Sequence, residues 1–407
     1  MSAVRILRLA AGGDGVARLE DGRTVFVPRS APGDLVELTR VREHRRFARA
    51  RVGRVLEPSP GRVVPRCPHY VEDDCGGCQL QHLAPPAQRE ARRTFVGDAL
   101  RRIGRLDVAD PALVAATEEW EYRTKITLHV DPGGGRIGLH PLDRPDSVFE
   151  LARCHITRPE LMALWRELGP LRALLPRGLR HIVLRLDRFG GRHVLLVVGD
   201  AGPWKQGPAL DEALQARGTT ATLWVQPEGS EARAVRDADR AFPAAVFEQV
   251  HPAMGDRVRA HAVAALGDVA GRHVWDLYAG IGETTAALAA ARASVESVES
   301  DARAVQEAEA RGPAAVRHVG RAERVVGRLR APDLVITNPP RAGMDDRVTA
   351  ALATAAPARI VYVSCDPATL ARDLARLRGF RLGSVQAFDL FPQTSHVETV
   401  AVLDRAS

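Results

Sequence analysis

The stretch HVWDLYAGIGETTAALAA, His273 to Ala290, does most to restrict how this chain can fold. An apolar run passes through Asp276 into a turn with Gly280 and Gly282, and helix-forming residues follow at once. Glycine admits backbone conformations, and close approach of a ligand, that other residues oppose. Thr284 or Thr285 can help start the helix. Beyond Phe247 the chain alternates helix, strand, glycine turn, helix and strand. That rhythm specifies a parallel sheet with helices on its faces.

The same stretch points to a nucleoside ligand. Glu299 ends the next short strand, SVESVES, where an acid can accept hydrogen bonds from both hydroxyls of a ribose. A dinucleotide site wants a third glycine entering the helix, and Thr285 stands there instead. Acid-Leu-aromatic-x-Gly-x-Gly is nearer to the loop of S-adenosylmethionine (SAM) enzymes. We favour SAM over NAD and over an unliganded turn. DLVITNPPRAGM (Asp333 to Met344) runs from an apolar strand into Asn338-Pro339-Pro340, a rigid loop that cannot join a ladder. Its place suits the C-terminal edge of the sheet, where open α/β folds bind ligands. Methyltransferases of exocyclic amines also carry Asn-Pro-Pro, but an aromatic residue then follows, and here Arg341 follows.

The remaining chain divides by style. At 407 residues, two or three domains are expected. Residues 1–58 show short β-like runs (TVFVP, DLVELTRV, ARARVGRVLE) between Gly, Pro and Asp turns, which suggests an OB-like barrel. Residues 80–245 read as α+β: a helix from Ala87 to Gly104 with Phe95, Leu100 and Ile103 on its apolar side, then two glycine-turned hairpins. The formal net charge of +7 lies wholly in residues 1–66, which hold 14 arginines against 7 acids. A basic barrel on a neutral body suits a polyanion, and a solvated charged face is the plainer alternative. MSAVRILRLAAGGDGV lacks the apolar core of a signal peptide, and no apolar run approaches a bilayer's thickness. We expect a cytoplasmic protein with no membrane association and no protein partner implied.

The five cysteines fall into two groups. Cys67, Cys75 and Cys78 cluster in RCPHYVEDDCGGCQLQH, and Cys154 stands alone in FELARCHITRPE. Four thiolates suit zinc or an iron–sulfur cluster equally. Cys365 ends the run VYVS before Asp366-Pro367. On position alone it is a packed hydrophobe, a ligand or a nucleophile.

In order along the chain, CGGCQLQH, DLYAGIG, NPPRAG, VYVSCDPATLARDL and DLFPQTSHVETVAVL resemble the SAM-dependent RNA uracil-5-methyltransferases. The resemblance is to those with an N-terminal TRAM domain and an iron–sulfur cluster, the type that modifies 23S ribosomal RNA. It implies a multidomain chain: a TRAM barrel at 1–58, an α+β central, RNA-facing domain with the cluster at 59–245, and a Rossmann-like class I methyltransferase domain at 246–407. Cys67, Cys75, Cys78 and Cys154 match the family's [4Fe–4S] ligands. Cys365 matches its nucleophile and Glu398 its general base. Gln249, Tyr278, Glu299 and Asn338 match its SAM contacts. The family usually has Asp where Asn338 stands, so a carboxylate is exchanged for an amide. His251 stands where the family often has Asn, and we assign it no role. The YRTK segment, Tyr122 to Lys125, is explained as well by packing.

The implied chemistry accounts for these residue types. Carbon 5 of uracil is a poor nucleophile until a thiolate adds to carbon 6 and makes the ring an enolate. A base must afterwards remove the carbon 5 proton so that the thiolate can leave. Methylation of an exocyclic amine needs neither. The expected partner is RNA, rRNA in preference to tRNA, with the target base turned out of its stack. The competing readings are a tRNA uracil-5-methyltransferase, a catalytically inactive RNA-binding homologue and an iron–sulfur redox protein.

Overall fold

A computed structural model describes residues 3–133, 135–199, 204–236 and 249–406, arranged round three sheets. The expected boundary at 245/246 lies outside the described residues. Among those described, no helix is long and apolar enough to cross a membrane.

The first sheet has six strands, from Ala3–Arg5 to Phe47–Glu57. Its longest pair, Leu35–Glu43 with Phe47–Glu57, is antiparallel and bulged at three places. Bulges bend and twist a strand, which lets a short sheet curl round its own core. That core is Val4, Ile6, Ala17, Val25, Val27, Val36, Leu38, Ala48 and Ala50. Arg49 alternates with buried Ala48 and Ala50, and Arg40, Arg42, Arg45, Arg46 and Arg54 are exposed as well.

The second sheet has seven strands between Lys125 and Ala234. Both expected hairpins are present: Val130 pairs with Ile137, and Leu186 with Arg192. Helices Pro159–Leu168 and Gly207–Ala216 bury Leu161, Leu164, Leu168, Leu210 and Leu214 against the sheet's Ile126, Leu128, Ile182, Leu184 and Val194.

The third sheet carries the site, and its elements are labelled here. Its strands are β1 (Ala112–Val114), β2 (His273–Leu277), β3 (Ser294–Glu299), β4 (Val316–Val319), β5 (Leu334–Thr337), β6 (Arg359–Ser364), β7 (Phe380–Phe388) and β8 (Glu398–Arg405). They lie in the order β4-β3-β2-β5-β6-β8-β7-β1. Strands β4 to β6 are parallel, whereas β8 is antiparallel to both β6 and β7. The α/β rhythm expected beyond Phe247 is present. Helices α1 (Pro85–Arg102), α2 (Pro252–Ala265), α3 (Glu283–Ala290), α4 (Ala302–Arg311), α5 (Asp346–Ala355) and α6 (Pro367–Arg376) cover the sheet or each other.

The α1 helix and β1 differ from the expected division. Sequence adjacency assigned both to the central domain, yet β1 pairs with β7 of the third sheet. On α1, Val96 and Leu100 pack in one core with Leu370, Ala371 and Leu374 of α6. The expected apolar side is also corrected. Ile103 caps the helix and is exposed, because the buried stripe runs through Phe95, Val96 and Leu100.

Candidate active site

The C-terminal ends of β2, β3, β5 and β6 and the start of β8 open onto one cleft of about 1480 Å³. Its walls include Cys365, Glu398, Gln249, Tyr278, Glu299 and Asn338, so every expected catalytic and SAM-contact residue meets there.

The glycine loop shapes one wall. After β2 the backbone turns left-handed at Tyr278 (φ 62°), Gly280 (φ 56°) and Gly282 (φ 76°). Gly282 is the N-cap residue of α3, a conformation that disfavours side chains other than glycine's. Asp276 lies buried beneath, and Thr285 Oγ1 donates to its Oδ2 at 2.6 Å. Burial pushes the Asp276 carboxyl up to about 7, against the Thr285 hydrogen bond. Glu299, at the end of β3, accepts the Gly280 N–H at 2.9 Å, the Ser300 hydroxyl at 3.1 Å and the Asp301 N–H at 2.8 Å. An ionised carboxylate has about four acceptor positions, so one is open to a ribose hydroxyl, and a second opens if the Ser300 hydroxyl turns away.

A second wall is the loop Asn338–Met344 after β5. The Asn338 N–H donates to Leu277 O at 3.2 Å, which ties this loop to the end of β2. Buried Asp373 on α6 holds its far end. Its Oδ2 accepts the Met344 N–H at 2.7 Å and the Tyr362 hydroxyl at 2.8 Å, and its Oδ1 accepts Arg372 Nη2 at 2.7 Å. Arg372 also donates to Ala342 O at 2.7 Å. Arg341 is thereby presented, exposed, on the cleft wall.

The third wall joins Cys365 to Glu398. In the antiparallel pair, Ser364 stands opposite Thr399, so one further step sets Cys365 opposite Glu398. Cys365 is half-buried and precedes Asp366, whose carboxylate caps α6 by accepting the Ala368 and Thr369 N–H groups. Burial pushes the Cys365 thiol up, the Glu398 charge adds to this, and Arg341 opposes it. Glu398 is 2% exposed, and its Oε2 has no hydrogen-bond partner among the described residues. Burial pushes its carboxyl up to about 8, again against Arg341. Arg341 is therefore the one cation whose field reaches both groups in these balances. Sequence reading had counted it only as the absence of an aromatic residue.

The other cysteines gather elsewhere. Cys67, Cys75, Cys78 and Cys154 line a second cavity of about 30 Å³, and Cys154, Gly77, Leu139 and Ile156 line the large cleft as well. Burial pushes the Cys67 thiol up, and the Cys75 thiol up to about 12, and neighbouring thiols add to both. Such a set stays ionised only beside positive charge. Among the described residues no group of three or more His, Cys, Asp or Glu is arranged to hold a single metal ion. Four thiols thus share one small cavity.

Two residues left without a role in the sequence prove to be packed together. His251 is fully buried, just before α2, and its ring stacks on Tyr122 at 4.7 Å. The Tyr122 hydroxyl donates to Pro392 O at 3.0 Å, in the segment that leads to Glu398.

Comparison with known proteins follows this geometry. A family model described as tRNA (Uracil-5-)-methyltransferase matches residues 314–406. A second, described as the TRAM domain of tRNA (uracil(54)-C(5))-methyltransferase, matches residues 3–60. The chain is 32% identical to the Thiobacillus denitrificans protein named 23S rRNA (uracil(1939)-C(5))-methyltransferase RlmD, covering 99% of each chain. A Xylella fastidiosa protein of the same name is 33% identical, over 98% of this chain and 97% of its own length. Among solved structures, Pyrococcus abyssi tRNA (uracil-54, C5)-methyltransferase in complex with S-adenosyl-L-homocysteine matches with a TM-score of 0.75. It is 23% identical and covered over 99% of its length, by 98% of this chain. That likeness shows a shared fold, and with the TRAM match it accounts for the first and third sheets.

Proposed function

The chain belongs to the RNA uracil-5-methyltransferase family with an N-terminal TRAM domain, and from that premise we propose that it methylates carbon 5 of a specific uridine in 23S rRNA through a covalent Cys365 adduct. The observation that carries the reading is the opposition of Cys365 and Glu398 at the end of the β6–β8 pair, inside the cleft that the glycine loop also lines.

SAM supplies an electrophilic methyl group. Gln249, Tyr278, Glu299 and Asn338 would hold it, with Glu299 on the ribose and Asn338 offering an amide where a carboxylate is usual. The Cys365 thiolate adds to carbon 6 of the uracil, and the electron pair of the 5,6 double bond passes to oxygen 4. Carbon 5 of this enolate would then form a bond to the methyl carbon as the methyl–sulfur bond breaks, its electron pair staying on sulfur in the departing S-adenosylhomocysteine. Ionised Glu398 removes the carbon 5 proton, that C–H electron pair rebuilds the double bond, and the thiolate leaves carbon 6. Glu398 finally gives its proton to solvent. Arg341 has the charge and place to favour both anionic groups and the enolate oxygen.

The four-cysteine cavity offers the donor type that a [4Fe–4S] cluster takes. Its cysteine donors are all sulfur and come from two segments. Cys67, Cys75, Cys78 and Cys154 would hold it, away from the reacting atoms. We read the domains as a barrel at 1–58, a central body within 59–245 and a catalytic domain from about 246, with α1 and β1 packed on the catalytic domain. The rRNA target is favoured because both relatives named above at 32% and 33% identity over nearly the whole chain carry that name. The exposed arginines of the first sheet would take phosphates.

The test is methyl transfer from labelled SAM to unmodified 23S rRNA and, in parallel, to unmodified tRNA, followed by nucleoside analysis. Label in 5-methyluridine from rRNA alone supports the full reading. Label from tRNA alone keeps the chemistry and replaces the substrate. Label in a methylated exocyclic amine overturns it.

A further inference from the structure

Gln79 directly follows the last cysteine of the CGGC turn and stands between the cysteine loop and the segment that carries Glu398. Its Nε2 donates to Gly76 O at 2.9 Å, and its Oε1 accepts the Ser395 N–H at 3.3 Å. Only one orientation of the amide satisfies both partners. The next residue repeats the link in the backbone, where the Leu80 N–H donates to Gln393 O at 3.0 Å. The Tyr70 hydroxyl, from the same cysteine segment, donates to Gln79 O at 3.1 Å.

The first sheet reaches the same point. Gly13, at φ 93°, comes so close that a Cβ there would stand 3.1 Å from Gln79 Cβ and 3.5 Å from Ser395 Cβ. Three parts of the chain therefore converge on Gln79. Gln79 itself lines the large cleft with Glu398.

The place of Glu398 explains why this matters. It is the first residue of β8, and the residues before it, from Asp389 on, form no helix or strand. Its backbone pairs with Phe388 of β7, and the pairing with β6 begins one residue later at Thr399. On its N-terminal side its position depends on where the irregular segment enters the strand. We infer that Gln79 is a positioning residue, coupling the cysteine loop to the proton-removal step by fixing Ser395, three residues before Glu398. This rests on the reading of Glu398 as the general base.

The chemistry makes a specific error visible. If the base is displaced, addition and methyl transfer still occur, but carbon 5 keeps its proton beside the new methyl group. The bond from Cys365 Sγ to carbon 6 then cannot break. Ordinary RNA should be left covalently attached to the enzyme.

The experiment uses the full chain, purified anaerobically with its cluster, and unmodified 23S rRNA with methyl-labelled SAM. Q79M has nearly the same shape and loses both side-chain hydrogen bonds, whereas Q79E keeps an acceptor for the Ser395 N–H. E398Q is the reference for a lost base. Q79M is expected to turn over about 10²-fold more slowly. It should also accumulate a denaturation-resistant, methyl-labelled adduct, as E398Q does, with visible absorbance and thermal melting unchanged. Q79E is expected to eliminate without accumulation. Unchanged turnover by Q79M, or slow turnover without adduct, overturns the inference. If Q79M fails to fold, Q79E decides it, and adduct accumulation by Q79E is the contrary result. Adduct from E398Q but not from Q79M overturns this inference alone. No adduct from E398Q brings down the base reading and this inference together.

Discussion

Cys365 lies one residue beyond the Ser364–Thr399 rung of the β6–β8 pair, which sets it against Glu398, and the Glu398 charge makes ionisation of the thiol harder. Burial disfavours both charges, and Arg341 offsets part of the cost in each balance. A thiol and a carboxyl are thus brought together at the end of this pair, with one guanidinium acting on both. The pair suits a reaction in which the thiolate is consumed by addition before the carboxylate acts.

Removing the thiol should leave binding and end chemistry. Cys365→Ala is expected to bind SAM as the unaltered protein does and to show no methyl transfer above background. Calorimetry with SAM and a labelled-methyl assay check the two halves separately.

Replacing the base should divide the reaction at its second half. Glu398→Gln is expected to lose turnover by about 10²–10⁴-fold, the usual worth of a positioned general base. A denaturing gel of enzyme with ordinary RNA should show the stalled adduct.

The pH dependence follows from burial. A base pushed up to about 8 is mostly protonated at neutral pH and cannot take a proton, so product formation should rise as pH rises through about 8. Arg341 lowers that value, so Arg341→Met should move the limb to higher pH. Folding is linked in the opposite sense. With the usual value near 4.5 raised to about 8, the group's contribution to stability is complete below 4.5 and is lost as pH rises through about 8. Urea titrations of E398Q should lack this part of the pH dependence.

Asp373 should be costly to remove, although it touches no reacting atom. Asp373→Ala would leave the Met344 N–H and the Tyr362 hydroxyl without their acceptor in a fully buried place. A loss of roughly 2–4 kcal/mol is expected in chemical denaturation. The loop bearing Asn338 and Arg341 should loosen with it, raising KM for SAM.

Charge on the first sheet should appear in the salt dependence of RNA binding. Arg45 and Arg46 are exposed in the turn between its two long strands. Replacing both with alanine should reduce the slope of log K against log salt by about 1–2. Filter binding across a salt series measures this.

Much of the site was legible because single residues carry their own constraint. Gly280 and Gly282 announce left-handed turns, and Glu299 announces an acid at a strand end. The CGGC turn announces convergent thiols. What stayed hidden depends on long-range pairing. Nothing near Glu398 in the sequence says that β8 inserts between β6 and β7 and so stands against Cys365. Nor does α1 show locally that Val96 and Leu100 pack on α6, since adjacency argued for the central domain. The surroundings of Arg341, Gln79 and Asp373 stayed hidden for a related reason. Each acts through a partner distant in sequence, and no local pattern marks a residue whose work is done across two loops.

The most direct measurement uses RNA in which uracil is replaced by 5-fluorouracil, incubated with the protein and SAM. Fluorine cannot leave carbon 5 as a proton does, so the predicted result is a denaturation-resistant adduct that forms with the unaltered chain and is absent with Cys365→Ala. Failure to form any adduct, by protein that demonstrably binds SAM and RNA, would contradict covalent catalysis by Cys365.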